Sequence, residues 1–224
     1  MQIGRKLLYL SFVALFVAAF SAGHAVRVAA ADYADLPATA HETSPKKTGD
    51  RAPAFTVRTV EDGEYRFDPS NLERPAILIS FRGGWCPYCN LHLSELRTVI
   101  PELKASGYDV LFLSGDAPAQ LYEGLQQETQ EDIAGLDYTI LSDASIEAAL
   151  AFGTAFRTGQ GLNDYLESKD YEYEKGSIGR HNALSVPFVY VVNQSGDIVY
   201  DFVEPDYKVR LPADELLSVA KAAL

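Results

Sequence analysis

From position 51 onward, hydrophobic and polar residues follow short, readable patterns. Two alternating runs, 54–59 and 64–67, flank Asp62-Gly63, which predicts a β-hairpin. PAILISF at 75–81 is a continuous apolar run, as expected of a strand buried on both faces. Beyond it Leu93, Leu96, Val99, Ile100 and Leu103 fall at helical spacing, with Pro101 expected to kink that helix. A second strand of the buried type follows at 108–114, then a polar-faced helix over 117–131 and a short strand at 138–141. A helix from 145 to about 152 is ended by Gly153. Residues 158–185 are polar, contain glycine and carry many tyrosines and acids, which predicts an excursion from the core. The runs 187–193 and 197–203 flank Gln194-Ser195-Gly196 as a second hairpin, and an amphipathic helix over 212–224 closes the chain. This order predicts an α/β architecture, a central mixed β-sheet flanked by helices, with the N-terminal β-hairpin as an extension.

The first 50 residues follow another pattern. Arg5 and Lys6 precede an apolar run at 7–20, followed by small residues, the order of a secretory signal peptide. The expected organisation is a signal peptide at 1–25 (cleaved after Ala25 or as late as about residue 31), a flexible linker at 26–50 and one domain at 51–224. The rival for the first segment is an uncleaved membrane anchor, although its apolar run is short for a span. The expected location is therefore periplasmic or otherwise extracytoplasmic, with membrane contact only if the segment is uncleaved. A net charge of −12 without a basic stripe argues against nucleic-acid binding.

The candidate chemistry sits in FRGGWCPYC, residues 81–89, which holds both cysteines of the chain. A staple closing so short a loop would contribute only about 2 kcal/mol. A metal reading offers Cys86, Cys89 and His92, one ligand short of a structural zinc site, with His92 expected on the exposed flank of its helix. Asn90 stands where a c-type haem would need histidine. A non-enzymatic module binding Cu(I) or a partner through the two thiolates, with help from His92 or His181, is the rival of another class. The reagent reading has a cause at each position. A strand running into a helix puts Cys86 at the helix N-terminus, where unpaired N–H groups and the helix dipole favour a thiolate. Pro87 suits an early helical position, and Cys89, one turn on, can attack an oxidised Cys86. Trp85 and Tyr88 are expected to shape an apolar rim, and Gly83-Gly84 to allow the tight passage.

FRGGWCPYC resembles the active-site segment of the thioredoxin-fold superfamily, and its CPYC is similar to that of glutaredoxins. The remainder, from GDRAPAFTV at 49–57 through LFLSGDAP at 111–118 to the hairpin opened by Pro187, resembles the peroxiredoxin-like branch of the AhpC/TSA (alkyl hydroperoxide reductase/thiol-specific antioxidant) family. The resemblance implies a thioredoxin-like fold and an oxidoreductase in which Cys86 is the nucleophile and Cys89 resolves it. No cofactor is implied beyond a redox-active Cys86–Cys89 disulfide. The implied partners are a thiol reductant (a thioredoxin-like protein or glutathione) and either a hydroperoxide or a protein disulfide. It also implies a cis Val186–Pro187 bond facing the pair, and an arginine completing the pocket, for which Arg157 and Arg210 are candidates. The family resemblance favours reduction of hydroperoxides, the expected function, whereas disulfide exchange, the alternative, is favoured by the thioredoxin-like Trp85 and by one departure: Gly83 stands where peroxiredoxins carry a threonine or serine. The acidic stretch 158–185 is expected to be a solvated loop; if it reached the cysteines, Tyr165, Tyr171 and Tyr173 would be the contacts.

Overall fold

The structure, a computed structural model, describes residues 33–224. The predicted signal peptide lies outside them. The chain runs through β1 (Phe55–Arg58), β2 (Glu64–Phe67), β3 (Ala76–Phe81), α1 (Pro87–Leu96), α2 (Ile100–Ala105), β4 (Asp109–Ser114), α3 (Gln120–Glu123) and α4 (Gln127–Ile133). It continues with β5 (Thr139–Ser142), α5 (Glu147–Ala151), β6 (Ala155–Arg157), α6 (Gln160–Ser168), α7 (Ser177–His181), β7 (Ala183–Ser185), β8 (Phe188–Val192), β9 (Ile198–Val203) and α8 (Ala213–Ala222).

Seven strands form one mixed sheet in the order β2-β1-β5-β4-β3-β8-β9. Only the β3–β4 and β4–β5 pairings are parallel among these, in a register that sets Phe81 opposite Ser114 and Ser114 opposite Ser142. The carboxyl ends of the three strands therefore lie side by side, the position where open α/β sheets gather functional groups. Period-two alternation sends Ile77, Ile79, Val110 and Phe112 to one face, beneath Leu93 and Leu96 of α1, Leu103 of α2 and Leu216 of α8. Leu78, Leu111 and Leu113 face the other way, into a core with Phe55, Phe67, Phe152 and Tyr190. Both faces of the central strands are covered, which is why their sequences are apolar without interruption.

The structure corrects several expectations. Pro101 does more than kink a helix: the chain leaves α1 at Leu96 and restarts as α2, with Pro101 in the first turn, where its missing N–H costs nothing. The helix expected over 117–131 is interrupted between α3 and α4. Residues 33–50, the described part of the expected flexible linker, lie along the domain. Leu36 is buried, Lys46 N–H donates to Phe152 O at 3.0 Å and Gly49 N–H to Ile198 O at 2.8 Å. The excursion holds two helices and ends in β7, which pairs antiparallel with β6 just before it, and it closes around Leu166, Ile178 and Leu184. Finally, Val186–Pro187 is trans, as is every peptide bond among the described residues. The Val186 N–H donates to Thr154 O at 2.9 Å, and trans is the ordinary form even before proline.

Candidate active site

β3 delivers the chain at Phe81 to a tight turn, Gly83 to Cys86, closed by Cys86 N–H donating to Gly83 O at 3.1 Å. Cys86 is the N-cap of α1 and Pro87 opens its first turn. Gly83 has φ of +156°, a region that favours glycine, and the space beside it is taken. A Cβ there would lie 2.8 Å from Asp116 Oδ1 and would overlap the Trp85 indole. The hydroxyl-bearing residue that peroxiredoxins carry at this point has no room here.

Asn90, one turn into α1, fastens the turn. Its Nδ2 donates to Gly84 O at 2.6 Å and Cys86 O at 3.0 Å, while Oδ1 accepts Gln126 N–H at 2.9 Å. Asp116, just beyond β4, accepts Gly84 N–H through Oδ2 at 2.7 Å and the Ser114 hydroxyl at 3.2 Å. Burial pushes its carboxyl up to about 6 against these hydrogen bonds.

The two sulfurs, both free thiols and both buried, are driven apart in acidity. The Cys89 thiol donates to Cys86 and draws its pKa down to about 6; Arg82, the Cys89 backbone N–H and Arg210 help, and burial opposes. Burial and the neighbouring Cys86 push the Cys89 thiol well up. Arg210 Nη2 donates to Cys89 Sγ at 3.3 Å. The Arg82 guanidinium lies 4.8 Å from the Trp85 ring centre and 4.3 Å from that of Tyr207. Tyr88 meets Tyr207 edge-on at 5.8 Å, so the rim predicted from Trp85 and Tyr88 is completed from the β9–α8 connection.

Of the residues singled out in the sequence, Cys86, Cys89, Trp85, Pro87, Tyr88, Gly83 and Arg210 converge. Pro187 lines a small void with Ser80, His92 and Arg210, and so borders the site without its predicted cis bond. Arg157 lies in β6, and its side chain donates to Leu36 O at 3.3 Å, not to either cysteine. His92 is not on an exposed flank: it is 5% exposed, and its Nε2 meets Leu211 O at 3.0 Å. Burial, with Arg210 nearby, lowers its pKa to about 4. His181 stacks on Tyr33 at 4.2 Å. Neither histidine is thus turned to the thiols as a copper ligand, and no group of three or more His, Cys, Asp or Glu among the described residues could hold a metal ion.

The excursion does form a wall. Tyr171 and Tyr173 pack with Trp85 around Leu166 and Ile178, and burial with the neighbouring Asp116 raises the Tyr171 phenol. Tyr165 stays 40% exposed beside Lys169. Arg82, Asn90, Asp116 and Tyr207 escaped sequence reading. Arg82 lies inside the quoted motif, and only its distance from Cys86 along a strand-to-helix turn signals its part.

A vicinal dithiol at a helix start, at the carboxyl edge of a mixed sheet with helices on both faces, defines a thiol protein of thioredoxin-like fold. The chain belongs to the AhpC/TSA family, whose model matches residues 48–201. Peroxiredoxin Bcp of Escherichia coli K12 is 32% identical to it over 111 residues, 49% of this chain and 66% of that protein, just under two thirds of its length. Among solved structures, a peroxiredoxin-like protein from Aquifex aeolicus superposes with a TM-score of 0.60 at 18% identity, covering 81% of this chain and 90% of its own. Reduced Prx3 of Vibrio vulnificus in complex with hydrogen peroxide gives 0.59 at 15% identity, covering 78% and 99%. These structures share its fold.

Proposed function

We propose that the protein is a thiol peroxidase that reduces hydroperoxides through a Cys86/Cys89 dithiol–disulfide cycle. The observation that carries this is the split acidity of the pair: a nucleophile lowered to about 6 at a helix N-cap, beside a proton-holding thiol one turn on. The Cys86 thiolate attacks the terminal peroxide oxygen; an S–O bond forms, the O–O bond breaks, and the alkoxide takes a proton and leaves as alcohol. Cys89 then attacks the Cys86 sulfenic acid, the S–S bond forms, and hydroxide leaves with the Cys89 proton as water. Two electrons pass from the dithiol to the peroxide, and an external thiol reductant returns them. Cys86 is 1% exposed, which suits a small peroxide better than a folded protein disulfide.

A second reading, thiol–disulfide exchange with exported proteins, is favoured by Gly83, because the space of a peroxide-orienting hydroxyl is filled by Trp85 and Asp116. Peroxide consumption measured beside insulin disulfide reduction separates the two. Peroxide turnover is expected to dominate, to vanish in Cys86→Ser, and to stop after one equivalent in Cys89→Ser with a trappable sulfenic acid. Insulin reduction without peroxide turnover would replace this reading by the second. An extracytoplasmic setting belongs to the same proposal, on the strength of the 1–25 pattern; N-terminal sequencing of the mature protein from the periplasmic fraction tests it.

A further inference from the structure

α1 buries three side chains that are not hydrocarbon: Cys89, Asn90 and His92. Cys89 and Asn90 belong to the site already described, and His92 has no part in it so far. It follows Cys89 by three residues, so the two stand on the same face of the helix. Burial and the Arg210 guanidinium lower its pKa to about 4, so near pH 7 the ring is neutral and carries a single N–H. Nε2 lies 3.0 Å from Leu211 O, and a carbonyl only accepts, so that N–H belongs to Nε2 and donates to Leu211.

Leu211 is the residue after Arg210, in the connection from β9 to α8. Apart from bonds to α8, residues 205–212 make two hydrogen bonds to the rest of the described molecule, and both end on α1. One is His92 to Leu211 O, and the other is Arg210 Nη2 to Cys89 Sγ at 3.3 Å. The remaining bonds stay inside the connection, such as Val209 N–H to Asp206 O at 2.9 Å and Lys208 N–H to Asp206 Oδ1 at 3.1 Å. The Leu211 side chain is buried in the core, but apolar packing is non-directional, whereas a hydrogen bond to its carbonyl fixes the orientation of the backbone. Arg210 forms no ion pair among the described residues, and its Nε is buried without a protein partner. No acid therefore competes with Cys89 for this guanidinium.

We propose that His92 is a positioning residue for disulfide formation: by donating to Leu211 O it orients the backbone that carries Arg210 and keeps the guanidinium on the Cys89 sulfur. This rests on the dithiol-cycle reading and adds a residue to its second step. Burial holds the Cys89 thiol protonated, and Arg210 acts against burial, so attack on the Cys86 sulfenic acid depends on where that cation sits. A neutral donor suits the task. An acid at 92 would draw the guanidinium off the sulfur, and an apolar side chain would leave Leu211 O unpaired. The first step is insensitive to His92, because at pH 7.5 a Cys86 thiol lowered to about 6 is already ionised.

The test adds one equivalent of hydrogen peroxide to the reduced full-length protein at pH 7.5. Cys86 sulfenic acid is trapped with dimedone at successive times, and its decay to the disulfide is followed by mass spectrometry. His92→Met fills the space without a donor, and its decay is expected to slow about 10-fold, the effect of a one-unit rise at Cys89. His92→Gln can place an amide N–H near Leu211 O and should restore most of the rate, a rescue that packing alone would not give. In an Arg210→Gln background, itself slow, His92→Met should add nothing. The decay is a first-order process within each folded molecule, so a smaller folded fraction leaves its rate unchanged. Wild-type decay in His92→Met overturns the proposal, and so does equal slowing by that change in both backgrounds. A wild-type protein that reaches the sulfenic acid but never the disulfide, or whose Cys86 is not oxidised, overturns the dithiol cycle and this proposal with it.

Discussion

β4 and β5 end side by side, Ser114 opposite Ser142, and a buried aspartate follows each end: Asp116 after one and Asp143 after the other. Burial raises both carboxyls, to about 6 and about 7. Their engagements differ. Asp143 spends both oxygens on the start of α5, accepting Ala148 N–H at 3.0 Å and Ala149 N–H at 2.9 Å. Asp116 holds the Gly84 turn with Oδ2 and keeps Oδ1 beside the indole of Trp85. A buried carboxylate closed by helix N–H groups is a structural cap, whereas the same group half-committed beside a cysteine can tune chemistry.

The largest effect expected is at the Asp116 end. Gly83→Thr should destabilise the fold by about 2–5 kcal/mol, from backbone strain and overpacking, and should lower peroxide turnover instead of restoring a peroxidase hydroxyl. Denaturant midpoints and turnover per folded molecule check both; a faster enzyme would break the argument. Next, Asp143→Ala should cost about 2–4 kcal/mol by leaving two N–H groups unpaired, with peroxide turnover per folded molecule unchanged. A changed rate would erase the contrast between the two strand ends.

Smaller shifts follow from titration. Iodoacetamide alkylation of Cys86 should be half-maximal at about pH 6, well below an ordinary thiol. Asp116→Asn removes a negative neighbour, so that midpoint should move further down. An upward move would show that Asp116 acts on Cys86 only through the turn. The smallest effect is on stability. A carboxyl whose pKa is raised by folding contributes stability that is fully present below the unfolded value and lost as pH rises through the folded one. The stability advantage of wild type over Asp116→Asn should therefore shrink as pH rises from about 4 through about 6. A gap that widens over that interval would reverse the assigned sign.

The central strands were legible because burial on both faces writes itself as apolar runs, and the CPYC because strand, turn and helix start are contiguous in sequence. β6 and β7 were not, since Ala155–Arg157 and Ala183–Ser185 pair across a polar stretch whose apolar residues are few and scattered. Residues 33–50 looked unstructured for a related reason: they are held largely by backbone hydrogen bonds, which leave no mark on composition. Asp116 and Arg210 arrive from other strand ends, 30 and 124 residues after Cys86, and spacing says nothing about such meetings. Asn90 was read only for what it is not, a haem histidine, although its amide ties three segments together.

Trp85 is the only tryptophan in the chain, and its indole lies beneath Arg82 and beside the turn that carries Cys86. The molecule therefore contains one indole, whose red-shifted emission can be excited apart from the tyrosines, positioned beside the two thiols. Its emission should follow the dithiol–disulfide balance without a label, giving a redox titration that the protein reports optically from within its own active site.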